Sequence, residues 1–462
     1  MSEATVTLHA GDNRDTLRRL IDTGVRVHAV VTDPPYGLVS VQKRFAKPGS
    51  AAARTDGNDG SFTRLSGGFM GKAWDGTGIE RDPEFWRLIH DILLPGGYCF
   101  AFSGSRTGHW QACAMEMAGF IMHPMHGWVF GSGFPKAHAA DKAIDKAKGV
   151  KGTFGEPKSA AHAGWIERGR MRGGDNAENH EGWQRPWMED PEQVDNAARR
   201  YLAATPEAAQ WDGWAYGTQA QKPALEPIYL GQRPFSEKTG AANLLKHGVG
   251  AVNVDGCRVP TDETIVATRN IAMGSSGNGV FGAATVPGVY QQQPGGRHPS
   301  NLILDGSDEV VAMFPASKSS GGKGAASQKT ALNGAVYGDY SGETLGRNAG
   351  GLGDSGSAAR FFHQFPDADP LFYHPKAGKA DRAGSKHPTV KPVALMQYLI
   401  RHITPPGGIV LDPFAGSGTT GEAARREGFD CILMEAEAEY VEFLRERFSL
   451  PAPGRAGHPR LL

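Results

Sequence analysis

Cysteine is scarce. The chain of 462 residues has four, Cys99, Cys113, Cys257 and Cys431, spread too widely to form a C-x-x-C pair. That argues against a zinc site and against a disulfide framework. Cys99 and Cys431, set in apolar strand-like runs, read as core residues. Neither sign of charge is in excess: 49 Lys+Arg stand against 49 Asp+Glu. A nucleic-acid partner therefore has to be argued from local patches and not from the whole. No apolar run is long enough to span a bilayer, and the first residues show no charged-then-apolar signal. The sequence thus reads as that of a cytoplasmic protein with no membrane partner.

Glycine and proline are abundant, at 63 and 30 residues, and many fall in the middle of the chain, where they predict long loops. The length exceeds one typical domain and predicts a core with an inserted module. Outside the middle, strands and helices alternate. Strands are expected at 5–9, Val27–Thr32, 98–102 and 121–130, with helices at 14–21, 83–94 and 107–117. Further on, a helix is expected at 390–403 with Pro392 in its first turn, then a strand at 408–411, a glycine-opened helix, a strand at 429–434 and a helix at 438–448. Such alternation builds βαβ units and a parallel sheet, so an α/β fold is expected. Residues 40–78, Gly- and Ser-rich with scattered Lys and Arg, read as a mobile lid beside a strand end. Between 139 and 221 the pattern turns polar, with short helices at 141–148 and 191–204, before an apolar strand at 225–230. From 234 to 371 it is Gly-rich and weakly periodic, with a strand at 300–304 and a helix at 307–314 standing out.

Asp33-Pro34-Pro35-Tyr36 follows the β-branched run Val27–Thr32, which reads as a buried parallel strand. Asp33 therefore falls at a strand's carboxyl end, where open α/β sheets bind ligands. Each proline fixes φ, removes a backbone N–H and biases the residue before it toward an extended conformation. The result is a stiff turn that offers acceptors, the Asp33 carboxylate and the carbonyls, with the Tyr36 ring behind them. It suits a planar ligand that donates two hydrogens, such as the exocyclic amine of a nucleobase.

A second stretch, Gly416-x-Gly418-x-x-Gly421, matches the dinucleotide fingerprint, with Glu435 near the distance of an acidic ribose ligand. Taken alone it points to a NAD-dependent oxidoreductase. Two features count against that. Only 41 residues follow Gly421 in this sequence, short of a second nucleotide-binding half, and Asp412-Pro413 sets a carboxylate at the strand end. The same glycines and Glu435 fit one nucleoside-like cofactor, and Asp412 facing a cationic group favours S-adenosylmethionine.

Together, Asp33-Pro34-Pro35-Tyr36 and Asp412-Pro413-Phe414-Ala415-Gly416-Ser417-Gly418 resemble the catalytic and cofactor motifs of DNA amino-methyltransferases. The catalytic motif comes first and the cofactor motif last, an order that resembles the β class. His387-Pro388-Thr389-Val390-Lys391-Pro392 is similar to a segment of that class. The resemblance implies a circularly permuted, Rossmann-like S-adenosylmethionine-dependent methyltransferase fold with a large inserted target-recognition region. It implies catalysis by Asp33, Pro34, Pro35 and Tyr36. It implies cofactor contacts from Asp12, Thr389, Lys391, Asp412, Pro413, Phe414, Gly416, Gly418, Thr419, Thr420 and Glu435, and no metal. It divides the chain into a catalytic half at 1–138, an insert of unknown fold at 139–222, a return strand at 223–234, a target-recognition domain at 235–372 and a cofactor half at 373–462.

The substrate implied is double-stranded DNA with the target base flipped out. Asp at position 33 leans toward adenine N6 over cytosine N4. Residues 128–136 and 225–234 resemble the strands beside the target-base pocket, which assigns Lys136 to DNA. From Lys376 to Lys391, five cations (Lys376, Lys379, Arg382, Lys386 and Lys391) face Asp381 alone, a net charge of +4 suited to phosphates. The resemblance admits a homodimer and a cognate restriction enzyme as partners. A third reading, a methyltransferase fold that binds nucleic acid without catalysis, is opposed by the intact Asp33 and Tyr36.

Overall fold

The structure is a computed structural model. It describes residues 4–36, 78–131, 136–169, 190–259, 266–272, 285–291, 296–318, 355–364, 381, 383–385 and 390–451. The chain forms two compact units, one of Met1–Ser132 with Ala224–Leu462 and one of Gly133–Pro223. Among the described residues no helix is long and apolar enough to cross a membrane.

The larger unit is built on one mixed sheet. Its order is Val6–Ala10, Asp430–Glu435, Ile409–Asp412, Val27–Thr32, Leu93–Phe102, Leu225–Gln232, His126–Val129, Leu302–Leu304 and His363–Gln364, with Ile121–Met122 also paired to Leu225–Gln232. The first five strands are parallel. Helices cover both faces, so strand residues are apolar on both sides. Ala29, Val31, Phe100, Phe102, Val410 and Leu433 face one core, with Leu395, Leu399 and Ala423. Val30, Cys99, Ala101, Leu411 and Met434 face the other, with Leu17, Phe85, Trp86 and Ile89. Val27 shares the second core with Val30 because the register shifts between Val27 and Ala29.

The structure differs from the sequence expectations at several places. Leu225–Gln232 runs antiparallel to both Leu93–Phe102 and His126–Val129, so the sheet is not wholly parallel. The helix expected over 83–94 ends at Ile92, and the strand starts at Leu93 and runs through Pro95, Gly96 and Gly97. It continues there because the Gly96 N–H donates to the Arg233 carbonyl and the Arg233 N–H to that of Gly97. Pro124 divides the strand expected at 121–130 into Ile121–Met122 and His126–Val129. Described parts of 235–372 build onto the same sheet through Leu302–Leu304 and His363–Gln364. Asn243 ties another part to it by donating to the Pro95 carbonyl at 2.8 Å. That stretch is therefore not wholly separate from the strand–helix unit. The lid expected at 40–78 lies, but for Gly78, outside the described residues.

The smaller unit holds Ala140–Ala147 and Pro191–Ala198 as helices. The helix expected over 191–204 stops at Ala198, where Arg199–Leu202 becomes a strand antiparallel to Thr153–Pro157. Buried Asp145 organises this unit by accepting from the Tyr201 hydroxyl, the Ala204 and Thr205 amides and the Thr205 hydroxyl.

Candidate active site

The parallel register sets Val410 beside Ala29 and Leu411 beside Val30, so two strand ends far apart in sequence emerge side by side. One continues into Asp33-Pro34-Pro35-Tyr36 and the other ends at Asp412. Thr32 joins them, donating its hydroxyl to Oδ1 of Asp412 at 2.7 Å.

Asp412 is 2% exposed. Its Oδ1 also accepts from the Phe414 amide, and Oδ2 accepts from the Thr420 hydroxyl. Burial pushes its carboxyl up to about 6 against the pull of these donors. The sequence reading has Asp412 facing a cationic ligand. The structure instead occupies both oxygens inside the protein, and the carboxylate braces the loop while its charge acts through space.

The loop itself is shaped by Gly416 and Gly418, with φ of 51° and 78°. The Ala415 amide donates to the Met434 carbonyl and the Gly418 amide to that of Ala415. Thr419–Glu427 then starts as a helix, with Ser417 and Thr419 hydroxyls 3.0 Å apart at its mouth. Glu435 ends the neighbouring strand. Its Oε2 accepts from the Gly416 amide at 2.8 Å and Oε1 from the Ala436 and Glu437 amides at 2.9 Å each. Three fixed donors hold this carboxylate at the loop, while burial raises its pKa.

Asp12 caps the helix Asn13–Asp22 by accepting from the Arg14 and Asp15 amides. Asn13, absent from the sequence reading, donates its side-chain amide to the Pro413 carbonyl at 3.1 Å and so ties this segment to the loop. Phe414 stacks obliquely on Phe85, ring centroids 5.3 Å apart.

The turn after Thr32 is held from several sides. The Thr107 hydroxyl donates to the Tyr36 carbonyl at 2.6 Å. Lys391 donates its ammonium to Oδ2 of Asp33 and, at 3.2 Å, to the Tyr36 hydroxyl. Glu226 Oε2 lies 3.8 Å from the same nitrogen. The ammonium also sits 4.7 Å from the centre of the Phe102 ring. Oδ1 of Asp33 is buried and has no hydrogen-bond partner among the described residues. Burial, then the adjacent Asp33 carboxylate, holds the Tyr36 hydroxyl protonated well above the ordinary phenol range. Burial draws the Lys391 pKa down, against Asp33, which supports the charge.

Lys391 is expected among the cofactor contacts, whereas the structure brings its ammonium to Asp33. The sequence places Glu226 and Thr32 in strands and does not assign either to the site. A carboxylate inside the apolar run Leu225–Gln232 is the one signal that could have singled out Glu226. Lys136 lies in the strand Lys136–Ala139 of the smaller unit. Thr389, Lys376, Lys379, Arg382 and Lys386 fall outside the described residues.

Residues 291–446 match the family model of DNA methylases of the N6/N4 type. Type II methyltransferase M2.DpnII of Streptococcus pneumoniae is 45% identical over 69 residues, 15% of this chain and 26% of that protein. Type II methyltransferase M2.LlaDCHI of Lactococcus lactis subsp. cremoris is 38% identical over 71 residues, again 15% and 26%. The chain thus spans about a quarter of the length of the curated relatives it matches. The crystal structure of an M1.HpyAVI-SAM complex aligns with 96% of this chain and 100% of its own at 13% identity and a TM-score of 0.37. PvuII DNA methyltransferase, cytosine-N4-specific, aligns with 98% and 91% at 12% identity and a TM-score of 0.33. The part from 291 to 446, which carries Lys391, the Asp412 loop and Glu435, is thus similar to DNA methylases of the N6/N4 type.

Proposed function

We propose that this protein transfers a methyl group from S-adenosylmethionine to the exocyclic amine of a base flipped out of double-stranded DNA, adenine N6 in preference. The observation that carries this reading is Asp33. One of its oxygens is paired with Lys391 and the other is a buried acceptor with no partner among the described residues. An amine that donates one hydrogen to Oδ1 and one to the Pro34 carbonyl satisfies that atom. Those two bonds favour a pyramidal nitrogen and localise its lone pair. They also stabilise the positive charge the nitrogen gains, which is where fixed acceptors lower a barrier. Tyr36 offers a face for the flipped base.

The loop residues fit the cofactor named. Bound S-adenosylmethionine supplies an electrophilic methyl on a positively charged sulfur. Glu435, held by three amides, retains acceptor capacity for ribose hydroxyls, and the glycines let the backbone approach a ligand. Asp412 adds a buried negative charge behind the loop, and Asp12 and Asn13 border it. In this reading the fold is a circular permutation of the methyltransferase domain, with Lys136 and the basic residues from Lys376 to Lys386 on phosphates. A homodimer and a companion restriction enzyme belong to the same reading. Cytosine N4 is the second reading, because its amine makes the same two bonds.

The test is to sequence, with methylation-sensitive chemistry, DNA from a host expressing the protein and to analyse its nucleosides by mass spectrometry. N6-methyladenine at one motif is expected. N4-methylcytosine moves the assignment to the second reading, and unmodified DNA rejects both. Calorimetry with S-adenosylmethionine and with NAD separates the methyltransferase from an oxidoreductase.

A further inference from the structure

Lys391 has three N–H donors and no acceptor. Among the described residues three oxygens stand around its nitrogen, Oδ2 of Asp33, the Tyr36 hydroxyl at 3.2 Å and Oε2 of Glu226 at 3.8 Å. Its side chain is 6% exposed, and its nitrogen lies above the faces of Phe102 and Tyr36. The ammonium thus faces the Asp33 side of the site, with two of its donors hydrogen-bonded to Asp33 and Tyr36 and Glu226 paired with its charge. A carboxylate turns freely about its terminal torsion and can present either oxygen. An ion pair to one oxygen removes that freedom.

We propose that Lys391, itself held by Glu226, is a positioning residue for methyl transfer: it clamps Oδ2 of Asp33 and leaves Oδ1 as the oxygen that meets the target amine. The inference rests on the reading of Asp33 as the acceptor of that amine. Lys391 also balances a crowded set of anions. Asp33 from the turn, Glu226 from Leu225–Gln232 and Asp412 from Ile409–Asp412 all act on it, and Tyr36 adds a neutral hydroxyl. Three carboxylates around one buried cation leave a net negative charge, which suits a nitrogen that becomes positive during transfer. Without the cation, the Asp33 and Glu226 carboxylates lose the charge that pairs them in a largely buried site.

The experiment compares the full-length protein with Lys391→Met, Lys391→Arg and Glu226→Gln, using S-adenosylmethionine and unmethylated genomic DNA of the expression host. Single-turnover rates are measured as a function of pH, beside calorimetric affinity for S-adenosylmethionine and affinity for DNA. Lys391→Met is expected to slow transfer about 100-fold while both affinities stay within about threefold. The acid side of its rate profile moves to higher pH. Lys391→Arg recovers part of the rate, and Glu226→Gln slows transfer by about tenfold with unchanged cofactor affinity. A wild-type rate in Lys391→Met overturns the proposal. So does a matching loss of cofactor affinity, which makes Lys391 a cofactor ligand, or a slower rate with an unmoved pH profile, which makes its role structural. If Lys391→Met does not fold, Glu226→Gln decides by the same readouts. A wild-type protein that binds the cofactor and methylates no DNA overturns the functional reading and this inference together. Methylation by wild type with an unaffected Lys391→Met overturns this inference alone.

Discussion

The Thr32 hydroxyl lies 2.7 Å from Oδ1 of Asp412 and donates to it. This bond locks the strand that delivers Asp33 to the strand that opens the glycine loop, although the two residues are 380 positions apart in sequence. It also helps to satisfy a carboxylate that is almost wholly buried. Thr32→Val keeps the shape and removes the donor. Hydrogen bonds to buried charges are worth about 1.5–3 kcal/mol, so the variant is expected to lose about that much stability. Denaturant midpoints at an unchanged slope measure it, and an unchanged midpoint means that the bond is not formed.

Gly418 has φ of 78°, and a Cβ built there meets Leu444 Cδ2 at 2.4 Å and Phe448 Cε2 at 2.8 Å. The side of Gly418 that a side chain would occupy is the packed core under Ala438–Arg447, not open space for a ligand. Gly418→Val is therefore expected to cost about 3 kcal/mol or more of stability through strain and overpacking. Any loss of cofactor binding follows from the disordered loop. A thermal midpoint equal to wild type contradicts this.

His126 and His402 lie with ring centroids 5.8 Å apart, edge-on to Phe100. Burial is the main cause that lowers each to about 4, helped at His126 by His402 and at His402 by His363. The unfolded chain takes up these protons near 6.5, and the folded chain near 4. Stability is thus full above pH 6.5 and falls as pH drops toward 4. His402→Phe keeps a ring and removes one titration. Its stability is expected to fall less than that of wild type over this window, by on the order of 2 kcal/mol. Parallel stability curves contradict it.

The proposed target-recognition role of 235–372 would place sequence specificity there. Replacing that stretch with the equivalent part of a related enzyme is expected to change the methylated motif and leave cofactor affinity as it was. Replacing 139–222 is expected to change rate or affinity only. The motif read from DNA treated with each folded, cofactor-binding chimaera checks this. Because Leu302–Leu304 and His363–Gln364 belong to the main sheet, the exchange has to keep both strands.

The parts legible in the sequence are those fixed by local pattern. Val27–Thr32 is a continuous β-branched run ahead of two prolines, so both the strand and the place of Asp33 at its end follow from neighbouring residues. The strand before Asp412 and the helix after the glycines follow in the same way. What sequence could not supply is pairing over distance. Lys391 and Asp33 meet across 358 positions, and a lysine beside a cofactor motif reads as a cofactor contact until the fold turns it toward the other strand. Glu226 enters the site because Leu225–Gln232 runs antiparallel between Leu93–Phe102 and His126–Val129, a connection that alternating helices and strands do not suggest. The run through Pro95, Gly96 and Gly97 reads as a helix stop, and becomes strand because Arg233 supplies its partners.

The central claim, that Asp33 meets the reacting amine while the glycine loop holds the cofactor, is tested most directly by Asp33→Ala. The measurement is single-turnover methylation of DNA beside calorimetric binding of S-adenosylmethionine. Loss of a charge-assisted bond to the reacting amine is expected to raise the barrier by roughly 2–4 kcal/mol, with cofactor affinity within about threefold of wild type. Methylation by Asp33→Ala at the wild-type rate would contradict the account.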